Sequence, residues 1–437
     1  MKLLVNGSRS FRVDLEGIRG LALIIILLTH LIEWPTGGFV ALDLFFVLSG
    51  YLITGLLIRE HERTGRIDVS AFYRRRIRRL GPAATLVIVI TVVAGFILFP
   101  LARAQSIWWD GVWAMLLVSN WNFALNGTDY FATWKPQSPI LHFWSLSVEE
   151  QFYLVWPAII IAGIAIGAAA LRRRHRHGSG GSRYAWVIAL IALITAASFA
   201  WGVIQPLGNP QVSYLSTLTR AWEIGFGALL FFGNALWKKV PSALRPVLAW
   251  GGVVVLLVSA GVLTPDTPYP SFWALLPVLA TTGIILAGVG GDGKLVLATN
   301  PVARYLGQIS YSAYLWHWPI FIYIAALVGK QSPVYLWGAI PLSLVVAALS
   351  FHFVEDPIRH SSWLEPRSHH SRRSAYSESR RRRRAILTKV GAVAAFGVAL
   401  MLVAFAVISP RSGGPSEAST PRPSSSASAT SSAGGED

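Results

Sequence analysis

The sequence of 437 residues has no cysteine and few charged residues. Without cysteine the chain has no disulfide, no thiolate metal ligand and no cysteine nucleophile. Charged residues make up only 14% of the chain, whereas hydrophobic residues make up 53%, and the mean hydropathy is +0.51. A soluble domain of this length cannot bury so much apolar surface, so the composition predicts an all-α integral membrane protein.

Acidic residues are also scarce, with 21 Asp and Glu against 38 Lys and Arg, which leaves a net charge of +17. The basic residues occur in short runs between apolar segments rather than on one polar surface. Such runs orient membrane helices and lie on the cytoplasmic side. The pattern argues against nucleic-acid binding and predicts a multi-pass protein of the cell membrane with a cytoplasmic N-terminus.

Eleven apolar segments come close to the length of about 20 residues that a helix needs to cross a bilayer. Ten form a core and one follows near the C-terminus. Residues 108–125 are also apolar, but a crossing there would reverse the alternation of the basic connections, so we interpret them as interfacial or re-entrant. The eleven predicted spans are 15–34, 38–58, 80–100, 145–168, 185–204, 215–236, 247–264, 272–290, 304–328, 334–354 and 385–408.

The composition also predicts the division of the chain into parts. Residues 1–358 hold the core spans, residues 359–384 form a basic cytoplasmic linker, and residues 385–408 form the additional span. Residues 409–437 are rich in Ser, Pro and Thr, and we expect them to be disordered outside the cytoplasm. One interpretation of this tail is that it meets a separate extracytoplasmic partner.

The first span carries two ionisable residues, Arg19 and His30, eleven positions apart. Eleven residues are about three helical turns, so both side chains share one face, roughly 16 Å apart along the axis. Ionisable groups at membrane depth are costly and usually face a cavity or a partner. We therefore expect a proton-handling histidine and a distant cationic guide. The structural alternative places Arg19 at the inner interface and His30 near the outer headgroups.

A carboxylate, Asp43, lies early in the second span, at about the depth that His30 reaches in the first. A carboxylate beside an imidazole fixes its tautomer and raises its basicity. We therefore expect Asp43 to orient His30.

A dense arginine cluster precedes the third span, in the sequence FYRRRIRR at 72–79. Arginines three and four residues apart present one guanidinium face, which suits bidentate contacts to phosphate. If the substrate is a phosphorylated cytoplasmic donor, Arg75, Arg76 and Arg79 are where it would dock. The alternative is that the cluster only orients the neighbouring spans.

The predicted outer entrance of the fourth span combines His142 and Trp144 with the paired carboxylates Glu149 and Glu150. Aromatic rings beside carboxylates are typical of carbohydrate sites, because sugars present both apolar C–H faces and hydroxyls. On a structural interpretation the aromatics belong to the interfacial belt. His317, between two tryptophans, is a secondary candidate that could instead cap a kink or bond a neighbouring helix.

Taken together, six motifs in order resemble the acyltransferase-3 family of membrane O-acyltransferases over residues 11 to about 360. They are DLEGIRGLA at 14–22 with His30, DLFFVLSGY at 43–51, FYRRRIRR at 72–79, FWSLSVEEQFY at 143–153, LGQISYSAYLWHWP at 306–319 and FVEDP at 353–357. Some members of that family carry an outer SGNH-type hydrolase domain after an extra span. We expect none here, because no GDS-type nucleophile motif follows Ser409.

The resemblance implies transfer of an acyl group, usually acetyl from acetyl-CoA, to a hydroxyl of an envelope glycan, a lipid-linked sugar or a secondary metabolite. It implies acyl-CoA as a co-substrate, with no tightly bound cofactor and no metal. The family's first-span arginine and histidine match Arg19 and His30, and its loop arginines match Arg75, Arg76 and Arg79. Two alternative functions of the protein remain. One is a sugar-lipid flippase, but such folds usually contain internal repeats and we find none. The other is a purely binding or sensory protein.

This interpretation predicts a path through the membrane. The CoA phosphates would dock on the arginine cluster, and the thioester would pass Arg19 to reach His30. There His30 would act as general base on the acceptor hydroxyl or accept the acyl group itself, and both mechanisms stay open.

Overall fold

The structure is a computed structural model that describes residues 12–132, 136–174, 184–289 and 295–365. All regular secondary structure in these residues is helical, which confirms the all-α prediction. The α-helices are α1 (Val13–Ile32), α2 (Ala41–Thr64), α3 (Val69–Leu98), α4 (Leu101–Met115), α5 (Ser119–Leu125), α6 (Phe143–Arg174), α7 (Ala185–Gly208), α8 (Pro210–Leu215), α9 (Thr217–Phe232), α10 (Asn234–Trp237), α11 (Leu244–Val262), α12 (Leu275–Ala287), α13 (Val296–Thr299), α14 (Pro301–Val328), α15 (Pro333–Ser350) and α16 (Asp356–Arg359).

Eight helical segments in the described residues are long and apolar enough to cross a membrane. They contain α1, α2, α3, α6, α7, α11, α14 and α15, so the chain is a multi-pass membrane protein. The predicted core spans at 215–236 and 272–290 contain the shorter helices α9 and α12, of 16 and 13 residues. The predicted span at 385–408 lies outside the described residues, as do the tail and most of the basic linker.

Residues 101–125 form two helices, α4 of 15 residues and α5 of 7 residues. Between them the chain turns at Leu117, whose φ is +62°. Neither helix reaches the length of about 20 residues needed to cross a bilayer. This geometry agrees with the expectation that the segment does not cross.

Helices α1 and α14 pack side by side and run in the same direction. Gly20 lies against Ala303 near their beginnings, and His30 meets His317 further along both helices. We call the end of the bundle at which α1 and α14 begin the arginine end, and the opposite end the histidine end.

The arginine cluster belongs to helix α3, although the sequence predicted a span beginning only at residue 80. Gly65 adopts φ +75° and ends α2, and the carboxylate of Asp68 accepts a hydrogen bond of 2.8 Å from the backbone N–H of Ala71. This bond, which holds the pKa of Asp68 below its usual value, caps the first turn of α3. Because the helix begins at Val69, the arginines at 74–79 project from its side, and Arg76 and Arg79 are the two that line the cavity between the helices.

Glycines allow α2 and α9 to pack with their backbones nearly in contact. A Cβ on Gly50 would overlap the carbonyl of Ile224, and a Cβ on Gly227 would overlap the carbonyl of Val47. Small residues at a helix crossing are a usual means of close packing in membranes, where apolar burial contributes little between helices. This crossing fixes α9 beside α2 and so determines which side chains on the two helices can meet.

We expect Gly50→Ala to lower the free energy of unfolding by about 1 to 3 kcal/mol, because the added methyl group has no space beside α9. The measurement is thermal unfolding of the purified protein in one detergent. Gly251→Ala is the matched control, since no atom lies within 4 Å of a Cβ built on that residue of α11. Equal stability of the two variants would contradict this packing.

Candidate active site

A chain of hydrogen bonds fixes the proton positions of His30 and His317. The Nδ1 atom of His317 lies 2.7 Å from the carbonyl oxygen of Tyr314, and a carbonyl can only accept, so Nδ1 carries the proton. In a neutral ring Nε2 of His317 is then an acceptor, and Nδ1 of His30 donates to it over 2.9 Å. This leaves Nε2 of His30 as an unprotonated nitrogen, to which the hydroxyl of Tyr130 donates over 2.9 Å.

The neutral form of both imidazoles follows from their surroundings. His317 has no exposed surface, and neither ring forms an ion pair with a carboxylate in the described part of the chain. A buried charge without a partner is costly, so both rings remain uncharged in the resting protein. The side chain of His30 is partly buried, and its Nε2 accepts a hydrogen bond only from the hydroxyl of Tyr130 among the described residues.

Of the residues predicted for an acceptor site, His142 lies beside His317, and Trp144 lies against Tyr130 with 5.8 Å between ring centroids. The ring centroid of His142 is 5.6 Å from that of His317, and its Nε2–H donates to the carbonyl of Leu315 over 3.0 Å. That carbonyl has no helical donor because the residue four positions on, Pro319, has no N–H. Because of the proline, the carbonyl of Leu315 is available to bond His142 and hold it against α14.

Asp43 does not contact His30, which corrects the expected role of this carboxylate. Both ring nitrogens of His30 bond other residues, while Asp43 lies 3.0 Å from Arg220 and accepts a hydrogen bond from the hydroxyl of Tyr269. Arg220 also pairs with Glu223 over 2.8 Å, and all three charged side chains are fully buried. The position of Asp43 in the second span indicates its depth in the membrane. Its partner is decided by the packing of α9, which places Arg220 beside the carboxylate.

Sequence reasoning missed Arg220 and Glu223, although a signal was present. Both lie within the apolar segment predicted to span residues 215–236, and they are three positions apart, so they share one helix face. Two charges inside a predicted span require partners, and Asp43 was an available carboxylate. The buried cluster of Asp43, Arg220 and Glu223 stabilises the contact between α2 and α9.

A cavity of about 100 Å³, room for several water molecules, lies toward the arginine end from the histidine pair. It joins residues of α1, α2, α3, α6 and α14. Its charged lining consists of Arg19, Arg76, Arg79, Glu149 and Glu150. Much of its apolar lining comes from α2, namely Leu42, Phe45, Phe46, Leu48, Leu52 and Ile53.

Glu149 and Glu150 belong to this cavity and not to the entrance where the sequence placed them. Their carboxylates lie 3.8 Å and 3.6 Å from the guanidinium of Arg76. Glu149 follows His142 by seven positions, and a helix rises about 1.5 Å per residue. The two carboxylates therefore lie about two turns further than His142 toward the arginine end. The expected acceptor site therefore divides into an outer part with His142 and Trp144 and an inner ion-pair cluster.

The three predicted donor-binding arginines have different surroundings. Arg75 is exposed and pairs with Glu60 over 3.2 Å. Arg76 is held by two carboxylates and stacks over the ring of Tyr153 at 3.3 Å from its centroid. Within the described residues Arg79 forms no ion pair, and its Nε has no hydrogen-bond partner. Arg79 thus lines the cavity without a direct ion pair, and the nearest compensating charge is the buried carboxylate of Glu355, which forms no ion pair with it.

Arg19 also lines the cavity without a direct ion pair to a carboxylate of the described residues. Its guanidinium donates to the hydroxyl of Ser310 over 3.0 Å and lies 5.8 Å from the ring centroid of Phe45, but it has no ion pair in the described parts of the chain. Arg19 and Arg79 line the same cavity from α1 and α3. Two guanidinium groups that face one cavity without carboxylate partners suit an anionic ligand.

Tyr314 and Ser145 lie between the cavity and the histidine pair. Both line the cavity, and their hydroxyl oxygens are 2.6 Å apart. Tyr314 also donates to the carbonyl of His142 over 3.0 Å, and its ring centroid is 5.4 Å from that of His317. The cavity therefore ends against the residues that support the base His30.

These features define a multi-pass membrane protein with a histidine base at one end and a cationic cavity leading toward it. A model of the family described as an acyltransferase domain matches residues 12–352 of the chain. The protein belongs to this acyltransferase family, which confirms the resemblance of the six sequence motifs.

Two curated relatives illustrate the similarity. The peptidoglycan O-acetyltransferase OatA of Listeria monocytogenes is 30% identical over 378 residues, which cover 83% of this chain and 58% of the relative. A Bacillus subtilis protein named "Putative peptidoglycan O-acetyltransferase YrhL" is 32% identical over 362 residues, which cover 79% of this chain and 54% of the relative. The chain thus spans little more than half the length of these relatives. No solved structure matches it.

We expect Arg220→Met to lower the free energy of unfolding by about 3 to 5 kcal/mol, because it leaves two buried carboxylates without their cation. Arg75→Met is the matched control, since it breaks an exposed ion pair of about 0 to 1 kcal/mol. Thermal unfolding of both purified variants measures the difference. If Arg220→Met is as stable as Arg75→Met, the cluster does not stabilise the bundle.

Proposed function

We propose that the protein transfers an acyl group, in the first place acetyl, from cytoplasmic acyl-CoA to a hydroxyl of an envelope glycan across the membrane. The observation that carries this proposal is the unprotonated Nε2 of His30, which bonds only a hydroxyl and lies beyond the end of an arginine-lined cavity. The family supports acyl transfer, and both relatives described above are named as peptidoglycan O-acetyltransferases.

The residues that line the cavity support an acyl-CoA donor. Arg19 and Arg79 offer guanidinium groups to phosphate, and the apolar wall from α2 suits the less polar arm that carries the thioester. The structure thereby refines the sequence expectation for the arginine cluster. Because Arg75 pairs with Glu60 and Arg76 with Glu149 and Glu150, we assign the main attraction for the anion to Arg79 and Arg19.

In the direct mechanism the acceptor hydroxyl gives its proton to Nε2 of His30 as its oxygen attacks the thioester carbonyl carbon. The carbon–sulfur bond breaks, and the CoA thiolate receives the proton from the His30 imidazolium. His317 accepts the hydrogen bond from Nδ1 of His30 throughout and keeps the ring in the required tautomer. In the covalent alternative the same Nε2 attacks the thioester first and then passes the acyl group to the acceptor.

The experiment that tests the function is incubation of the purified protein with acetyl-CoA labelled in the acetyl group and with glycan fragments. Acyl transfer predicts release of free CoA and label in the glycan. A sugar-lipid flippase, the alternative function, predicts neither. Label on His30 in the absence of acceptor would select the covalent mechanism over direct transfer.

We expect His30→Gln to lower kcat for acetyl transfer by about 10²- to 10⁴-fold, the usual contribution of a positioned general base. His317→Gln should also lower kcat, because an amide does not fix the tautomer of His30. His352→Gln is the matched control: this exposed histidine bonds Tyr305 at the arginine end. Wild-type activity in a His30→Gln protein that reaches the membrane would refute the mechanism.

We expect Arg79→Gln to raise KM for acetyl-CoA by about 10- to 100-fold, because each hydrogen bond to a charged group contributes about 1.5 to 3 kcal/mol. Arg75→Gln should change KM much less, since Arg75 is exposed and already paired. Steady-state kinetics on the two variants measures the contrast. A larger effect of Arg75→Gln would move the donor site to the membrane surface.

A further inference from the structure

The hydroxyl of Tyr130 lies 2.9 Å from Nε2 of His30, the nitrogen that must take a proton from the acceptor. We propose, on the basis of the proposed function, that this hydroxyl occupies the binding position of the acceptor hydroxyl, and that the acceptor, a polyhydroxylated sugar, displaces it. Tyr130 is then a resting-state substitute for the acceptor and defines the acceptor subsite.

The first argument is geometric. A hydroxyl that gives its proton to a base must lie about 2.6 to 3.2 Å from it, and His30 has only one nitrogen free to accept. Nδ1 of His30 already donates to His317, so an acceptor hydroxyl has no other nitrogen to approach. The acceptor and Tyr130 therefore compete for one position.

Tyr130 itself remains a protonated phenol. Burial raises the pKa of Tyr130 above its ordinary value, which disfavours the phenolate. Its hydroxyl can donate to His30, as an acceptor hydroxyl would. It does not supply a second base.

The second argument comes from the polar groups around the hydroxyl of Tyr130. The indole Nε1 of Trp144 and the hydroxyl of Tyr214 are buried and directed at that hydroxyl, with no other hydrogen-bond partner in the described structure. Their rings lie 5.8 Å and 4.8 Å from that of Tyr130, measured between centroids. Both groups can donate to the oxygen of a hydroxyl that takes the place of Tyr130.

The aromatic surroundings also fit a sugar. Trp318 lies edge-to-face against His30, with 4.8 Å between centroids, and Trp144 and Tyr214 border the ring of Tyr130. Such faces pack against the apolar C–H surface of a sugar ring while the donors meet its hydroxyls.

Tyr130 lies in the connection between α5 and α6, outside the helices. Its backbone carbonyl accepts a hydrogen bond of 2.9 Å from the side chain of Gln137, and its side chain is only partly buried. Displacement of the hydroxyl therefore needs rotation of one side chain and leaves the bundle unchanged. Without acceptor, the same hydroxyl keeps water from the base and suppresses hydrolysis of the donor.

Tyr130→Phe tests the proposal with two readouts. The first is the rate at which diethyl pyrocarbonate modifies His30, followed by peptide mass spectrometry, which needs no enzymatic activity. Loss of the competing hydrogen bond should raise this rate by about 3- to 10-fold. The second readout is kinetic: KM for the glycan fragment should fall, kcat for transfer should be kept, and acetyl-CoA hydrolysis without acceptor should rise.

Tyr305→Phe is the matched control, because Tyr305 bonds the exposed His352 over 3.2 Å at the other end of the bundle. It should raise the modification rate of His352 and leave that of His30 unchanged. An unaltered rate for His30 in Tyr130→Phe would overturn the proposal. So would loss of transfer in a variant whose His30 has become more reactive, since Tyr130 would then take part in the chemistry. Retained transfer in His30→Gln would refute the role of His30 as the base, whereas the absence of both CoA release and label in the glycan would refute the proposed function.

Discussion

The carbonyl oxygen of Tyr314 can only accept a hydrogen bond, and the proton positions of the histidine site depend on this constraint. It places the proton of His317 on Nδ1, which in turn places that of His30 on Nδ1 and leaves Nε2 as the base. A carboxylate partner could have given the same tautomer, but it would have added a charge in an apolar setting. The protein uses a second neutral imidazole instead, held by its own helix.

Four arginines of the bundle divide into two groups according to their carboxylate contacts. Arg220 and Arg76 each contact two carboxylates, so their charge is compensated by direct ion pairs. Arg19 and Arg79 form no ion pair among the described residues, and both line the cavity. Only the more distant Glu355 acts on both of their charges. An arginine inside a membrane is costly, so these two are the ones that we propose for the anionic donor.

Hydropathy located the long membrane helices, and the spacing of Arg19 and His30 placed them toward opposite ends of α1. The sequence could not determine which helices are neighbours, because periodicity does not report the rotation of one helix against another. For that reason Asp43 was assigned to His30 and not to Arg220. Glu149 was assigned to the outer entrance because the sequence does not show how far α6 carries it from His142 toward Arg76. The contact of Tyr130 with His30 could not be predicted, because Tyr130 lies in a connection that has no helical periodicity.

The location of Tyr130 has a consequence for how acceptor range can change. The proposed base His30 and its partner His317 lie on α1 and α14, whose close backbone contact at Gly20 and Ala303 leaves no room for larger side chains. Tyr130, which we propose occupies the acceptor position, lies in a connection, and connections tolerate insertion and substitution far better than packed helices. A substitution at Tyr130 can therefore change the proposed acceptor subsite while the packing of α1 against α14 is kept.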